Sequence, residues 1–172
     1  MKLNLAISLL FVLLFKGVSA GTPLENLREF FFRADTEAGV KAFGMYAFSI
    51  KEQTALINAY RGTAKAMSAG FTEGFLSKIQ AFNVGKDIIE ASVKEDPQNQ
   101  EIRFLRYCVQ ANIPGILGYS GNMNEDFELV YPILCREIKN GNSFWIKACN
   151  AIKKCENLPK KHLEKLNSCS LK

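Results

Sequence analysis

The side chains with the widest chemical repertoire in this 172-residue sequence are its five cysteines. They are Cys108, Cys135, Cys149, Cys155 and Cys169. An odd number leaves at least one thiol unpaired within a single chain. Cys108 lies in an apolar helical stretch, where a thiol behaves as a small apolar residue. The last three crowd towards the C-terminus, and Cys155–Cys169 is the disulfide that we predict, although spacing alone leaves the connectivity open.

A single histidine, His162, restricts the other chemistries. It lies among lysines, so we expect it to be a solvated surface residue. No Cys-x-x-Cys motif supplies zinc ligands, and no second histidine supports a Ser-His-Asp or Cys-His centre. The sequence therefore predicts no catalytic residues, no metal site and no cofactor.

Five residues form a candidate binding site. Arg103, Arg106 and Gln110 share one helical stripe, Glu101 precedes them, and Arg61 is a further candidate for the same cluster. Two interpretations stay open. The arginines either pair with carboxylates of neighbouring helices, or they present their planar donors to an acidic or carboxylate-bearing partner.

Charge is distributed unevenly along the chain. Residues 21–135 hold 11 basic and 14 acidic residues, whereas residues 136–172 hold 9 basic and 3 acidic ones. The basic C-terminal part is either a solvated face or a surface attracted to an anionic membrane or polysaccharide of the envelope. No nucleic-acid partner is expected, because no matching motif occurs.

Residues 1–20 have the pattern of a secretory signal peptide. Lys2 precedes a mostly apolar stretch, Leu3–Phe15, and Val18, Ser19 and Ala20 are small residues suited to cleavage. An uncleaved anchor is the alternative, but this stretch is short against the roughly 20 residues that span a bilayer. We expect cleavage near Ala20 and a periplasmic or secreted protein, with residues 21–172 as one helical domain whose part 136–172 is basic and cysteine-containing.

Apolar residues recur at helical spacing throughout the mature chain, which predicts an all-α fold of about seven helices in antiparallel hairpins. The segment 75–114 is expected to form the central hairpin, with its turn at Asp96-Pro97. Small residues such as Gly62 and Gly85 predict close helix contacts. Pro132 is expected to kink or divide the helix that begins near Glu125.

One part of this hairpin resembles a known repeat. Gly85, Ile89 and Ser92, followed by Asp96-Pro97 and Asn99, are similar to the second helix and turn of a tetratricopeptide repeat. The resemblance implies an array of helical hairpins of that style. The positions that should hold the first-helix signature of the next repeat do not fit it: Arg103, Arg106 and Tyr107.

A second resemblance covers residues 59–119. The run Glu101-Ile102-Arg103-Phe104-Leu105-Arg106, with Gln110, Pro114 and Leu117-Gly118-Tyr119, resembles a family of uncharacterised exported proteins from Bacteroidetes. It implies an envelope or secreted location and no assigned activity. The part after Tyr119 is richer in cysteine than that family's pattern.

These observations favour an exported, non-catalytic helical domain that binds another protein, as an adaptor does. Two alternatives from other classes stay open. A carrier of an apolar ligand would need a closed cavity lined by the many phenylalanines, and an envelope hydrolase with a dispersed site would need a deep pocket with converging carboxylates.

Overall fold

The computed structural model describes residues 21–169, and the regular secondary structure of this part of the chain is all helical, with no β-strand. The predicted signal peptide and residues 170–172 lie outside it. The all-α prediction is confirmed, with one helix more than expected. The helices are α1 (Pro23–Phe32), α2 (Glu37–Ser49), α3 (Ala55–Ser68), α4 (Phe75–Glu95), α5 (Gln100–Ala111), α6 (Met123–Lys139), α7 (Ser143–Lys153) and α8 (Lys160–Cys169).

Local sequence explains where the helices begin. The Thr22 side chain accepts a hydrogen bond from Glu25 N–H, and the Glu25 carboxylate accepts one from Thr22 N–H, which is a complete capping box before α1. The side chains of Thr36, Thr54 and Asn99 cap α2, α3 and α5 by accepting hydrogen bonds from backbone amides of the first turn. Each cap satisfies amides that no earlier helical turn can bond.

The closest helix pair is α3 against α4. A Cβ on Gly62 would lie 2.8 Å from Gly85 O, and a Cβ on Gly85 would lie 2.4 Å from Ala66 N. The expectation of close contact at the small residues is confirmed. Helices α4 and α5 are joined by the predicted turn at Asp96-Pro97 and contact each other, but the glycines bring α4 more closely onto α3 than onto α5.

Helix α5 is the centre of the fold. It packs against α3, α4, α6 and α7, and every residue from Glu101 to Ala111 is buried. Helix α6 continues through Pro132, so of the two predicted effects of this proline, division of the helix is wrong, and the kink stays a prediction. No helix within residues 21–169 is both long and apolar enough to cross a membrane.

The C-terminal helices are cross-linked differently from the prediction. Cys169 of α8 forms a disulfide with Cys135 of α6, and their Cα atoms are 5.1 Å apart. The predicted pair Cys155–Cys169 is wrong, because Cys155 follows α7 and its thiol faces α5, where it accepts a hydrogen bond from Asn112. The disulfide fastens α8 to α6.

Candidate functional site

A groove of about 1,110 Å³ opens between the ends of several helices. The C-terminal end of α1, the end of α3, the start of α4, the segment after α5 and one face of α7 form its walls. Its lining is mainly apolar and rich in aromatic rings. The large apolar side chains are Phe31, Phe32, Val40, Met67, Phe71, Phe75, Ile79, Phe82, Val109, Ile113, Ile116 and Leu117.

The groove is open to solvent along one side. Phe75 is 74% exposed and Ile116 is 91% exposed, although both line the groove. Phe71 is also exposed, and Leu76 continues the apolar surface next to Phe75. An isolated exposed apolar residue needs no explanation, but a contiguous patch beside a groove is typical of a surface that a ligand or partner covers.

Charged residues of both signs surround the apolar lining. The basic residues are Arg33, Lys78, Lys147 and Lys154, and the acidic ones are Glu29, Asp35 and Glu156. Lys147 bonds to Glu29, which ties α7 to α1 at one edge. A mixed polar rim around an apolar centre is the usual anatomy of a protein interface.

The candidate arginine stripe lies inside the protein. Arg103 Nη1 donates to Asp126 Oδ1 at 2.7 Å, and Arg106 makes two hydrogen bonds to the same carboxylate, at 2.7 and 2.8 Å. Arg103 and Arg106 are 6% and 3% exposed, and Asp126 is fully buried. Glu125 and Glu90 complete the network. The structure therefore matches the first interpretation, in which the stripe joins neighbouring helices, and leaves these arginines no open face for an outside carboxylate.

Glu101 belongs to a second buried network on the other side of α5. Its carboxylate accepts hydrogen bonds from Arg28 of α1 and from the hydroxyl of Tyr60 on α3. Burial and the Glu101 charge raise the pKa of Tyr60 well above its usual value, so this hydroxyl stays a donor. The hydrogen bond to Glu101 raises the pKa of Arg28. Glu101 thus holds three helices together.

Arg61 does not join the cluster. Its guanidinium donates to the backbone oxygens of Ala47, Ile50 and Glu52 and to side-chain oxygens of nearby residues. It therefore fixes the α2–α3 connection. Among residues 21–169 it shares no hydrogen-bond partner with Arg103 or Arg106.

Gln110 is buried, being 1% exposed, and neither polar atom of its side chain has a hydrogen-bond partner within the described chain. It does not line the groove. The five candidate residues thus fall into four separate interior environments, because only Arg103 and Arg106 share one, and none of the five forms part of the groove wall.

The surface position predicted for His162 is wrong. Its ring is 1% exposed and stacks on Phe127 with centroids 3.8 Å apart, while Nδ1 shares a 2.8 Å hydrogen bond with the hydroxyl of Tyr107. Burial and the charge of Lys161 lower its pKa. The lysines around it in the sequence suggested solvent, but Phe127 and Tyr107 lie on distant segments that no local pattern connects to it.

Sequence reasoning also missed the groove and Asp126. The phenylalanines of the groove could be counted but not brought together, because they come from α1, from the segment between α3 and α4, and from α4. Asp126 is one of three acidic residues near the start of α6, and this position indicated only a favourable interaction with the helix dipole. No family model, curated protein or solved structure matches this chain. The two sequence resemblances therefore stay predictions.

Proposed function

We propose that this protein is a non-catalytic binding protein whose apolar groove receives the apolar face of a partner protein's helix. The observation that carries the proposal is the groove itself, with about 1,110 Å³ of apolar, partly aromatic space that continues onto exposed rings. Amphipathic helices bind in grooves of this kind through apolar side chains one helical turn apart. The proposal keeps the adaptor role predicted from the sequence but places it in the groove, not on the arginine stripe.

The shape and charge of the groove favour a helix over a small apolar ligand. A carrier encloses most of its ligand, and its pocket typically measures about 300–1,000 Å³. Here Phe75 and Ile116 stay largely exposed at the open side. The basic and acidic residues of the rim would pair with charges of both signs on a docked helix. An apolar ligand with one anionic headgroup would instead be matched by a rim of basic residues alone.

The test compares groove variants with a matched surface variant. Phe75→Glu and Ile116→Glu place a charge in the groove mouth, and Met45→Glu does the same at an exposed apolar position of α2 outside it. Amphipathic helical peptides would be selected from a displayed library on the wild-type protein. Affinity would be measured by fluorescence anisotropy, with circular dichroism to verify folding.

We expect a selected peptide to bind wild type and Met45→Glu alike and to bind either groove variant at least about tenfold more weakly. The same proteins would be titrated with a long-chain fatty acid. Peptide binding that the groove variants leave unchanged would contradict the proposal. Saturable fatty-acid binding without peptide binding would support the carrier alternative in its place.

A further inference from the structure

Two of the free cysteines are held side by side by the fold. Cys108 lies on α5, and Cys155 lies just after α7. The segment that follows Cys155 is bonded to the end of α5, because Asn157 donates from its backbone to Ala111 O at 2.8 Å and from its side chain to Ile113 O at 3.0 Å. These bonds fix Cys155 beside the last turn of α5.

Asn112 connects the two cysteines directly. Its Nδ2 donates to the backbone oxygen of Cys108 at 2.8 Å and to the Cys155 sulfur at 3.3 Å. The Cys155 thiol itself donates to the backbone oxygen of Ala151 at 3.5 Å. Both cysteines are 7% exposed. Cys108 lines the groove, and so do Lys154 and Glu156 on either side of Cys155, so a small molecule in the groove lies next to the pair.

The surroundings make the two sulfurs chemically unequal. Asn112 Nδ2 donates to the Cys155 sulfur at 3.3 Å, and a donated hydrogen bond stabilises a thiolate. The neighbouring Cys108 and Asn112 lower the pKa of Cys155, although burial opposes them, whereas burial raises the pKa of Cys108. A thiolate is the attacking form in disulfide exchange, so we assign the nucleophile to Cys155 and the resolving role to Cys108.

We propose that Cys108 and Cys155 form a redox-active dithiol that a small-molecule disulfide converts into a second disulfide bond. The Cys155 thiolate attacks one sulfur of the small disulfide, forms a mixed disulfide and releases one thiolate. Cys108 then loses its proton to solvent and attacks the Cys155 sulfur, which releases the second thiolate. Two cysteine thiols are oxidised, and one small disulfide is reduced to two thiols.

This pairing resolves the odd cysteine count, with Cys149 as the remaining thiol. Cys149 is 3% exposed, and burial raises its pKa, so it is a poor nucleophile. The new cross-link would join the end of α5 to the segment after α7, and both contribute to the groove wall. Oxidation would therefore fix the spacing of those walls, whatever the groove binds.

The experiment uses the purified folded protein with a Cys149→Ser change, so that two thiols remain beside the Cys135–Cys169 disulfide. It is incubated with oxidised glutathione, quenched with iodoacetamide under denaturing conditions and analysed by intact mass and peptide mapping. We expect both thiols to disappear together without a retained glutathione adduct, and a peptide cross-link between Cys108 and Cys155. Reduced glutathione should reverse it.

Single variants in the same background separate the two roles. With Cys108→Ser, Cys155 should retain one glutathione adduct, because no resolving thiol is present. With Cys155→Ser, adduct formation on Cys108 should be at least about tenfold slower, following its smaller thiolate fraction. Three results with the Cys149→Ser protein would overturn the proposal. They are two thiols that iodoacetamide still alkylates, a glutathione adduct on each of Cys108 and Cys155, or a cross-link from either residue to Cys135 or Cys169. Wild-type protein analysed in the same way covers the case of a variant that fails to fold.

Discussion

Asp126 presents both carboxylate oxygens to two arginines of the neighbouring helix, and none of its surface reaches solvent. Burial alone would lower the pKa of Arg106, yet the hydrogen bond and charge of Asp126 raise it, so the guanidinium stays charged inside the protein. A buried ion pair of this kind stabilises the folded state little in comparison with apolar side chains of the same size. Removing only one of its partners is costly, because a buried charge is then left without its counter-charge.

Replacing Asp126 with asparagine keeps the shape and removes the charge that Arg103 and Arg106 share. We expect the free energy of unfolding to fall by about 3–5 kcal/mol, because Arg103 and Arg106 lose the buried anion that they share. Urea unfolding followed by circular dichroism measures the loss. The matched variant is Glu125→Gln, whose side chain also bonds to Arg103 but is 58% exposed. It should cost less than about 1 kcal/mol. Equal losses in the two variants would argue against a dominant role for the buried carboxylate.

The contact between α3 and α4 depends on the absence of two side chains. A Cβ on Gly85 would meet the backbone of Ala66 and Gly62 at 2.4 and 2.6 Å, and backbone atoms cannot rotate away. Glycine is unfavourable inside a helix by about 1 kcal/mol relative to alanine, so its presence here reflects packing and not helix propensity. The pairing of these two helices is thus decided by backbone proximity.

Gly85→Ala should destabilise the protein by about 1–3 kcal/mol despite the better helix propensity of alanine, because the helices must separate. Gly44→Ala is the matched control, since a Cβ there meets only Ala64 Cβ at 4.0 Å. That change should stabilise by up to about 1 kcal/mol. Thermal unfolding measures both changes, and the unfolding temperature should fall for Gly85→Ala and rise for Gly44→Ala. Stabilisation by both would mean that α3 and α4 do not approach as described.

Docking of α8 should depend on pH through His162. The folded state lowers the pKa of this ring below its ordinary 6.5, so the unfolded chain binds the proton more readily. The stability contributed by the neutral ring is therefore complete above the unfolded pKa and is lost as pH falls below it. Lys161, Lys165 and Glu128 face the ring, and the carboxylate opposes the effect of the lysines.

We expect wild-type stability to fall between about pH 7.5 and about pH 5, and a His162→Gln variant to show a flatter profile over that range. The measurement is the urea midpoint at several pH values. The carboxyl groups of Glu125 and Glu128 have lowered pKa values, so their effects fall below their usual 4.5, outside this range. Parallel profiles for the two proteins would exclude His162 as the source.

Local features of the fold followed from sequence, and long-range ones did not. Thr22, Thr36 and Asn99 could be identified as helix starts because a cap acts within one turn, whereas the start predicted near Lys51 lies at Thr54. The small residues indicated that helices approach closely, but their partners depend on packing between distant segments. The same holds for the disulfide partner of Cys169 and for the stacking of His162 on Phe127. The sequence placed Arg103 and Arg106 on one stripe of a helix. It could not show that they are buried, because α6, which covers them, comes from a later part of the chain.

The Cys135–Cys169 disulfide closes a segment of 34 residues that includes α7. Restricting the unfolded chain in this way stabilises the fold by about 3–4 kcal/mol in the chain-entropy description. The double variant Cys135→Ala/Cys169→Ala should lose about that much, as measured by guanidinium unfolding of the oxidised proteins. Cys149→Ala removes a buried sulfur without a cross-link and should cost about 1 kcal/mol. A double variant as stable as wild type would show that the cross-link adds nothing.

Because α5 has no face on the surface, its amide protons can exchange with heavy water only when the surrounding helices have come apart. Their exchange rates therefore report the global free energy of unfolding. Amides of α8, which lies at the edge and packs mainly on α6 and α7, can exchange through a smaller opening. The ratio of the α8 exchange rates in reduced and oxidised protein, converted to RT ln of that ratio and compared with the same quantity for α5, gives the free energy with which the disulfide keeps α8 in place.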